Sequence, residues 1–280
     1  MLDYHIHTNF SDGQNTIEEM VKGAWEKGLT EFGISDHFTV VPRYPAGGKI
    51  DDFKPNGFCE GYSMKKNRLG EYVNSINLAK DKFKDKIILK AGIELEYFLE
   101  NWGELCDLMG EYSFDYIIGC VHKNPENDWY RHICDPNAYI DFTEDEYVNF
   151  TQKNLELIIE MAKTGKCDII AHTEAVCGYR KMKDFSVMYD HFAKLCQVVK
   201  ENNMCIEMNC WETPENWDPN LFLYKECGRL DIPVIITSDA HEVENINQGY
   251  EKGIKVLNDC KVKYTATYFQ RKQFVKEILY

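Results

Sequence analysis

The chain has no CxxC pair, no apolar run approaching the roughly 20 residues of a membrane span, and no apolar leader at its N-terminus. Its 11 cysteines are an odd number, and the two nearest in sequence, Cys205 and Cys210, match no zinc-finger spacing. These absences argue against a disulfide framework and a thiolate zinc site, and they predict reduced thiols in a cytoplasmic protein. Positive charge is scarce as well: 32 Lys and Arg against 46 Asp and Glu leave a net charge of −14. That balance disfavours nucleic acid and anionic membrane as partners. It permits an anionic small substrate, because bound cations reverse the local field. No glycine-rich phosphate loop follows the first strand pattern, which disfavours dinucleotide binding. No nucleophilic serine or cysteine motif stands out. No repeat, low-complexity tract or linker divides the 280 residues, which read as one domain, 1–280, of ordinary size for an α/β barrel.

What the chain does have is alternation. Short apolar, β-branched runs mark seven expected strands: Leu2–His7, Glu31–Ser35, Ile87–Glu94, Asp115–Val121, Cys167–His172, Met204–Asn209 and Pro233–Ser238. Amphipathic stretches lie between them. Thr16 and Thr143 each open a capping box, with Glu19 and Glu146 three residues on. Further helices are expected over about Ser63–Phe83, Trp102–Gly110, Ser186–Asn202 and Pro219–Gly228, and near the C-terminus. Strands alternating with helices imply βαβ units and a parallel sheet. The segment Thr39–Pro55, with three prolines and Gly47-Gly48, reads as a long loop at the rim of the site.

Histidines and carboxylates recur at the ends of these strands: His5-Ile6-His7, His37, Glu94, His122, His172, and Asp239-Ala240-His241. A parallel α/β barrel gathers such positions at one face. Residues i and i+2 of a strand point the same way, so His5 with His7, and Asp239 with His241, are suited to a shared ion. Asp12 follows in a turn-like segment. Six of the eight histidines fall at or just past a strand end, whereas His191 lies in a helix and reads as structural, and His132 follows Trp129-Tyr130-Arg131 in a loop. Six histidines with Asp12, Glu94 and Asp239 are too many donors for one catalytic ion, which takes about three protein ligands. Two or three divalent ions are expected. Ligands of this type, without thiolate, suit Zn²⁺, Mn²⁺ or Fe²⁺.

This order of motifs resembles the PHP (polymerase and histidinol phosphatase) family, in its histidinol-phosphate phosphatase branch, over nearly the whole chain. The resemblance implies a distorted (β/α)7 TIM-like barrel and a multinuclear metal centre. In it His5, His7, Glu94 and Asp239 would hold one ion, Glu94, His122 and His172 a second, and Asp12, His37 and His241 a third. It implies a phosphomonoesterase acting on L-histidinol phosphate, a small phosphorylated metabolite, by attack of a metal-bridging hydroxide, with Asp239 or His241 supplying the leaving-group proton. The alternative is the same chemistry on another small ester, such as a nucleotide or sugar phosphate. A nuclease is disfavoured by the acidic charge. Arg43, Lys123 and Arg180 are the candidate phosphate-binding cations, since a guanidinium fork binds phosphate bidentately. Glu96, Tyr97, Trp129 and Glu212 are candidates for the ammonium and imidazole of the substrate.

Overall fold

The computed structural model describes residues 1–40, 63–126, 129–133, 141–174, 182–210, 214–216 and 218–278. The chain opens with β1 (Leu2–Asp3), α1 (Ile17–Glu26), β2 (Glu31–Ile34) and β3 (His37–Phe38), followed by α2 (Leu69–Phe83), β4 (Ile88–Glu96), α3 (Trp102–Met109) and β5 (Tyr116–Cys120). A hairpin of β6 (Lys123–Glu126) and β7 (Trp129–His132) comes next, then α4 (Glu144–Lys163), β8 (Ile169–Ile170), α5 (Tyr189–Glu201) and β9 (Cys205–Asn209). The last elements are α6 (Phe222–Leu230), β10 (Val234–Thr237), α7 (Tyr250–Asp259) and a second hairpin, β11 (Tyr264–Phe269) with β12 (Lys272–Glu277). Both capping boxes form, at Thr16 and Thr143, each threonine exchanging bonds with the glutamate three residues on.

The sheet is parallel, in the order β1-β2-β4-β5-β8-β9-β10. β3 also pairs β4, and the register runs on without a shift, Ile34 opposite Ala91 and His37 opposite Glu94, so β2 and β3 are one strand interrupted at Ser35-Asp36. The two edges meet through a parallel bridge between Ile6 and Ala240, with His7 N–H donating to the Ala240 carbonyl at 2.9 Å. The result is a nearly closed barrel with helices around it. The seven expected strands are present, several of them shorter than the apolar runs suggested.

Side chains alternate across the barrel wall as the pleat requires. Ile117, Ile170, Ile206, Met208, Val234 and Ile236 pack outward in the larger core with the helices. Tyr116, Ile118, Cys120, Ile169, Cys205 and Ile235 form a second core with Tyr4, Ala266 and Tyr268. Tyr4 and Tyr116 stack at 4.8 Å between ring centroids. Glycine on the neighbouring strands makes room for them: a Cβ at Gly92 would lie 2.1 Å from the Tyr116 ring, and one at Gly33 2.2 Å from its hydroxyl.

The second hairpin, which the sequence pattern did not reveal, seals the end of the barrel where the strands begin. Its two-residue turn, Gln270-Arg271, has φ of 50 and 64°. The turn is pinned by Arg271 N–H to the Asp115 carbonyl at 2.9 Å, by Gln270 N–H to Asp115 Oδ1 at 3.2 Å, and by the Arg271 guanidinium on Asp168. With that end filled, chemistry is left to the opposite face. No helix among the described residues is long and apolar enough to cross a membrane. All cysteines among them are free thiols.

Candidate metal centre

At the C-terminal face the Ile6–Ala240 bridge brings the first histidine pair, His5 and His7, against the last pair, Asp239 and His241. His7 Nε2 lies 2.9 Å from Asp239 Oδ1, and His5 Nε2 lies 3.6 Å from the same oxygen and 3.3 Å from Glu94 Oε2. Glu94 stands in the middle. Its Oε1 is 3.2 Å from His172 Nε2 and 3.8 Å from His122 Nε2, and its Oε2 touches His37 Nδ1. On the solvent side Asp12 Oδ1 is 3.4 Å from His241 Nε2 and 3.8 Å from His37 Nε2. All nine expected donors therefore converge. His241 is the most open at 35% side-chain exposure, with Asp12 and Asp239 next, which places the mouth of the site there.

The backbone at two donors is unusual. His172 and Asp239 have φ of 57 and 52°, the left-handed region that costs a non-glycine residue energy and that clusters at functional sites. Both residues stand two positions past the ends of β8 and β10.

Several buried polar atoms in this space make no hydrogen bond: His5 Nε2, both nitrogens of His7, Asp12 Oδ1, both oxygens of Glu94, His172 Nε2 and Asp239 Oδ1. Each such atom costs about 1–3 kcal/mol if left unsatisfied. A fold does not gather them without a partner, and cations satisfy imidazole nitrogens and carboxylate oxygens together. Donor sets within 4.8 Å of one another include His5/His7/Asp239, His37/Glu94/His122 and His7/Asp12/His37/His241. The residues fit a divalent-metal site.

Electrostatics follow from burial and crowding. Burial raises the pKa of Glu94 and Asp239, but the facing histidines outweigh it and hold both well below the usual carboxylate range. Burial lowers His7 to about 3, with His37 and His241 adding to the effect, so His7 stays neutral and ready to ligate. For His172 burial is outweighed by Glu94, Glu207 and Asp239, and for His241 by Asp12 and Asp239; both rise to about 9.

Behind the donors stand further buried carboxylates, of which only Glu96 is among the residues expected at the site. Asp36 accepts from the N–H and hydroxyl of both Thr8 and Ser11, at 2.6 to 3.0 Å, and so holds the loop that delivers Asp12. Asp3 accepts from the Ser238 N–H at 3.2 Å and its hydroxyl at 2.5 Å, just before Asp239; burial raises its pKa to about 6. Glu96, expected at the rim, is fully buried because β4 runs on past Glu94. It accepts from His122 Nδ1 at 2.9 Å and from the N–H groups of His122 and Lys123 at 2.7 and 3.1 Å. Tyr97, also expected at the rim, is buried edge-on against Trp102. Lys123 is buried beside His122. Arg43, Arg180, Glu212 and most of the expected rim segment Thr39–Pro55 lie outside the described residues. An acidic residue inside an apolar strand, as in Ile206-Glu207-Met208, was the available signal for such positions, since carboxylates are seldom fully buried unpaired.

A family model described as the PHP domain matches residues 3–210. Asp239 and His241 lie beyond that span, yet β10, which they follow, belongs to the same sheet. Relatives include a probable histidinol-phosphatase of Thermotoga maritima, 24% identical across 95% of this chain and 95% of that one. The histidinol-phosphatase of Bacillus subtilis is 21% identical over 89% of this chain and 96% of its own. Among solved structures, histidinol phosphate phosphatase from Lactococcus lactis, complexed with zinc, L-histidinol and phosphate, aligns with a TM-score of 0.76 at 21% identity, covering 98% of both chains. With the matched span covering most of the chain, from the first histidine pair through β9, this protein belongs to the PHP domain family.

Proposed function

We propose that the chain, taken over 1–280 as one PHP-type unit, is a metal-dependent phosphomonoesterase that hydrolyses L-histidinol phosphate to L-histidinol and phosphate. The observation that carries the reading is the convergence of nine imidazole and carboxylate donors at the open end of the barrel, six of which (His5, His7, Asp12, Glu94, His172 and Asp239) hold buried side-chain atoms with no hydrogen bond. The substrate comes from the two relatives named above, each called a histidinol-phosphatase and each matched over almost its full length.

In this reading His5, His7, Glu94 and Asp239 hold one ion, Glu94, His122 and His172 a second, and Asp12, His37 and His241 a third; zinc, manganese and iron all suit the donors. Bound divalent ions supply a Lewis acid for the phosphoryl oxygens and lower the pKa of water. The chain's own groups do the rest. Glu94 and Asp239 stay ionised and concentrate negative charge between the histidines. An ionised Asp239 has no proton to give, so we assign leaving-group protonation to His241, the more exposed of the two candidates, in a two-ion centre where its Nε2 holds no metal; in a three-ion centre that nitrogen is a ligand instead. His241 Nδ1 is taken up by the Asp239 carbonyl at 2.9 Å, leaving Nε2 as the working nitrogen. Arg43, Arg180 and Lys123 are the proposed cations for the phosphate.

The test is phosphate release from L-histidinol phosphate, an aryl phosphate, a nucleotide and a sugar phosphate, with Mn²⁺ and with Zn²⁺. A rate on histidinol phosphate no better than on the aryl ester removes the substrate and leaves the reaction class. Glu94→Gln should lower bound metal and reduce activity by about a hundredfold or more, since even residues behind the ligands account for 10–100-fold. Full activity in that variant would overturn the metal reading.

A further inference from the structure

We infer that Glu207 is a positioning residue that orients two histidines destined for different ions, and so couples the two metal positions. The inference rests on the reading of His5 and His172 as metal ligands. Glu207 is fully buried on β9, on the face that looks into the barrel. Its Oε1 accepts from His5 Nδ1 at 2.5 Å and from the Thr237 hydroxyl at 2.8 Å. Its Oε2 accepts the backbone N–H of His172 at 3.1 Å. The three partners come from the segment after β1, from β10 and from the end of β8, so one carboxylate ties together three parts of the barrel mouth.

The consequence differs for the two histidines. With Nδ1 donating to Glu207, His5 presents an unprotonated Nε2 in its neutral form, and that nitrogen faces Glu94 and Asp239. His172 is held instead by its backbone, at the left-handed φ of 57°, from which its Nε2 reaches to 3.2 Å from Glu94 Oε1. Both Glu207 oxygens are engaged in these bonds. Glu207 lies within 4.8 Å of His5 and His172 in the manner of a third ligand, but it acts by holding them. Glu96 provides the internal contrast: its bonds to Nδ1 and N–H serve one ligand histidine, His122.

Glutamine at 207 keeps the shape and reverses one bond. An amide N–H facing His5 Nδ1 makes that nitrogen an acceptor and moves the ring proton to Nε2, and the His172 N–H then meets a neutral carbonyl in place of a carboxylate, so both histidines lose part of their hold. The experiment is calorimetric titration of the metal-stripped full chain with Zn²⁺ alone, reading stoichiometry and affinity for the unaltered protein, Glu207→Gln, Glu96→Gln and Glu94→Gln. Circular dichroism and melting in chelator check the fold. Glu207→Gln should weaken two of the bound ions by about 10–100-fold each, and Glu96→Gln one. Glu207→Asp, which retains the carboxylate, should recover part of the loss, an effect a purely structural role would not give; if Glu207→Gln does not fold, this variant carries the same comparison against the unaltered protein. Unchanged affinity in Glu207→Gln, or weakening of one ion only, overturns the inference. Unchanged binding in Glu94→Gln instead overturns the metal reading beneath it, so the two failures are distinguishable.

Discussion

Histidine binds a metal through a neutral nitrogen, and the metal-free site keeps several of its histidines protonated. His172 and His241 titrate at about 9, and His5 is held well above the histidine range by Glu207, Asp239 and Glu94 against the opposing effect of burial. Metal loading at pH 7 should therefore release about three protons per chain. Calorimetry in buffers of different ionisation enthalpy measures this number, and a value near zero would contradict the charge assignment. The sign also sets the stability of the metal-free protein. A histidine whose pKa rises on folding stabilises the fold fully below its unfolded value of 6.5, and that contribution is lost as pH climbs through 9. The metal-free chain should lose stability over that window while metal affinity rises. Most donors were legible one by one because they stand at or just past the end of an expected strand, and Asp12 because it sits in a turn-like segment after the first pair. Their orienting carboxylates were not, because a glutamate such as Glu207 has its partner His5 at a sequence distance of 202 residues.

Strand faces explain which elements were readable. On β5 the inward Tyr116, Ile118 and Cys120 alternate with the outward Ile117, and both faces are buried, so the segment reads as a continuous apolar run. Gly92 on β4 takes its meaning from the ring that presses on it. Gly92→Ala should destabilise the fold by about 3 kcal/mol or more, the upper end of overpacking costs, because the new methyl meets the Tyr116 ring at 2.1 Å in a fully buried layer. Denaturant unfolding reads this, and a loss under about 0.5 kcal/mol, the level of an ordinary surface change, would show the layer to be loose. Two hairpins went unread. Gln270-Arg271 is not one of the asparagine–glycine pairs that announce a two-residue turn, and its positive φ values are held by Asp115 and Asp168 of distant strands. Lys123–Glu126 carries a proline and polar residues, so nothing in its pattern separates it from a loop.

For the molecule as a whole, closure is what turns strands into a site. One end of the barrel is filled by Tyr4, Tyr116 and Tyr268, and the other collects the donors. Deleting residues 264–278 should lower the melting temperature sharply, since truncating a buried aromatic such as Tyr268 alone costs about 3–5 kcal/mol. An unchanged melting temperature would mean that the hairpin is not part of the floor. The α/β class, the seven strands, the capped helices and the nine donor residues follow from local pattern, because pleat and helix period act over a few residues. Which donors meet, that Asp239 faces His7 across the Ile6–Ala240 seam, and that Glu207 holds both His5 and His172, depend on how the sheet curves and closes. Those contacts join residues between 35 and more than 200 positions apart, and no short-range rule of sequence carries them.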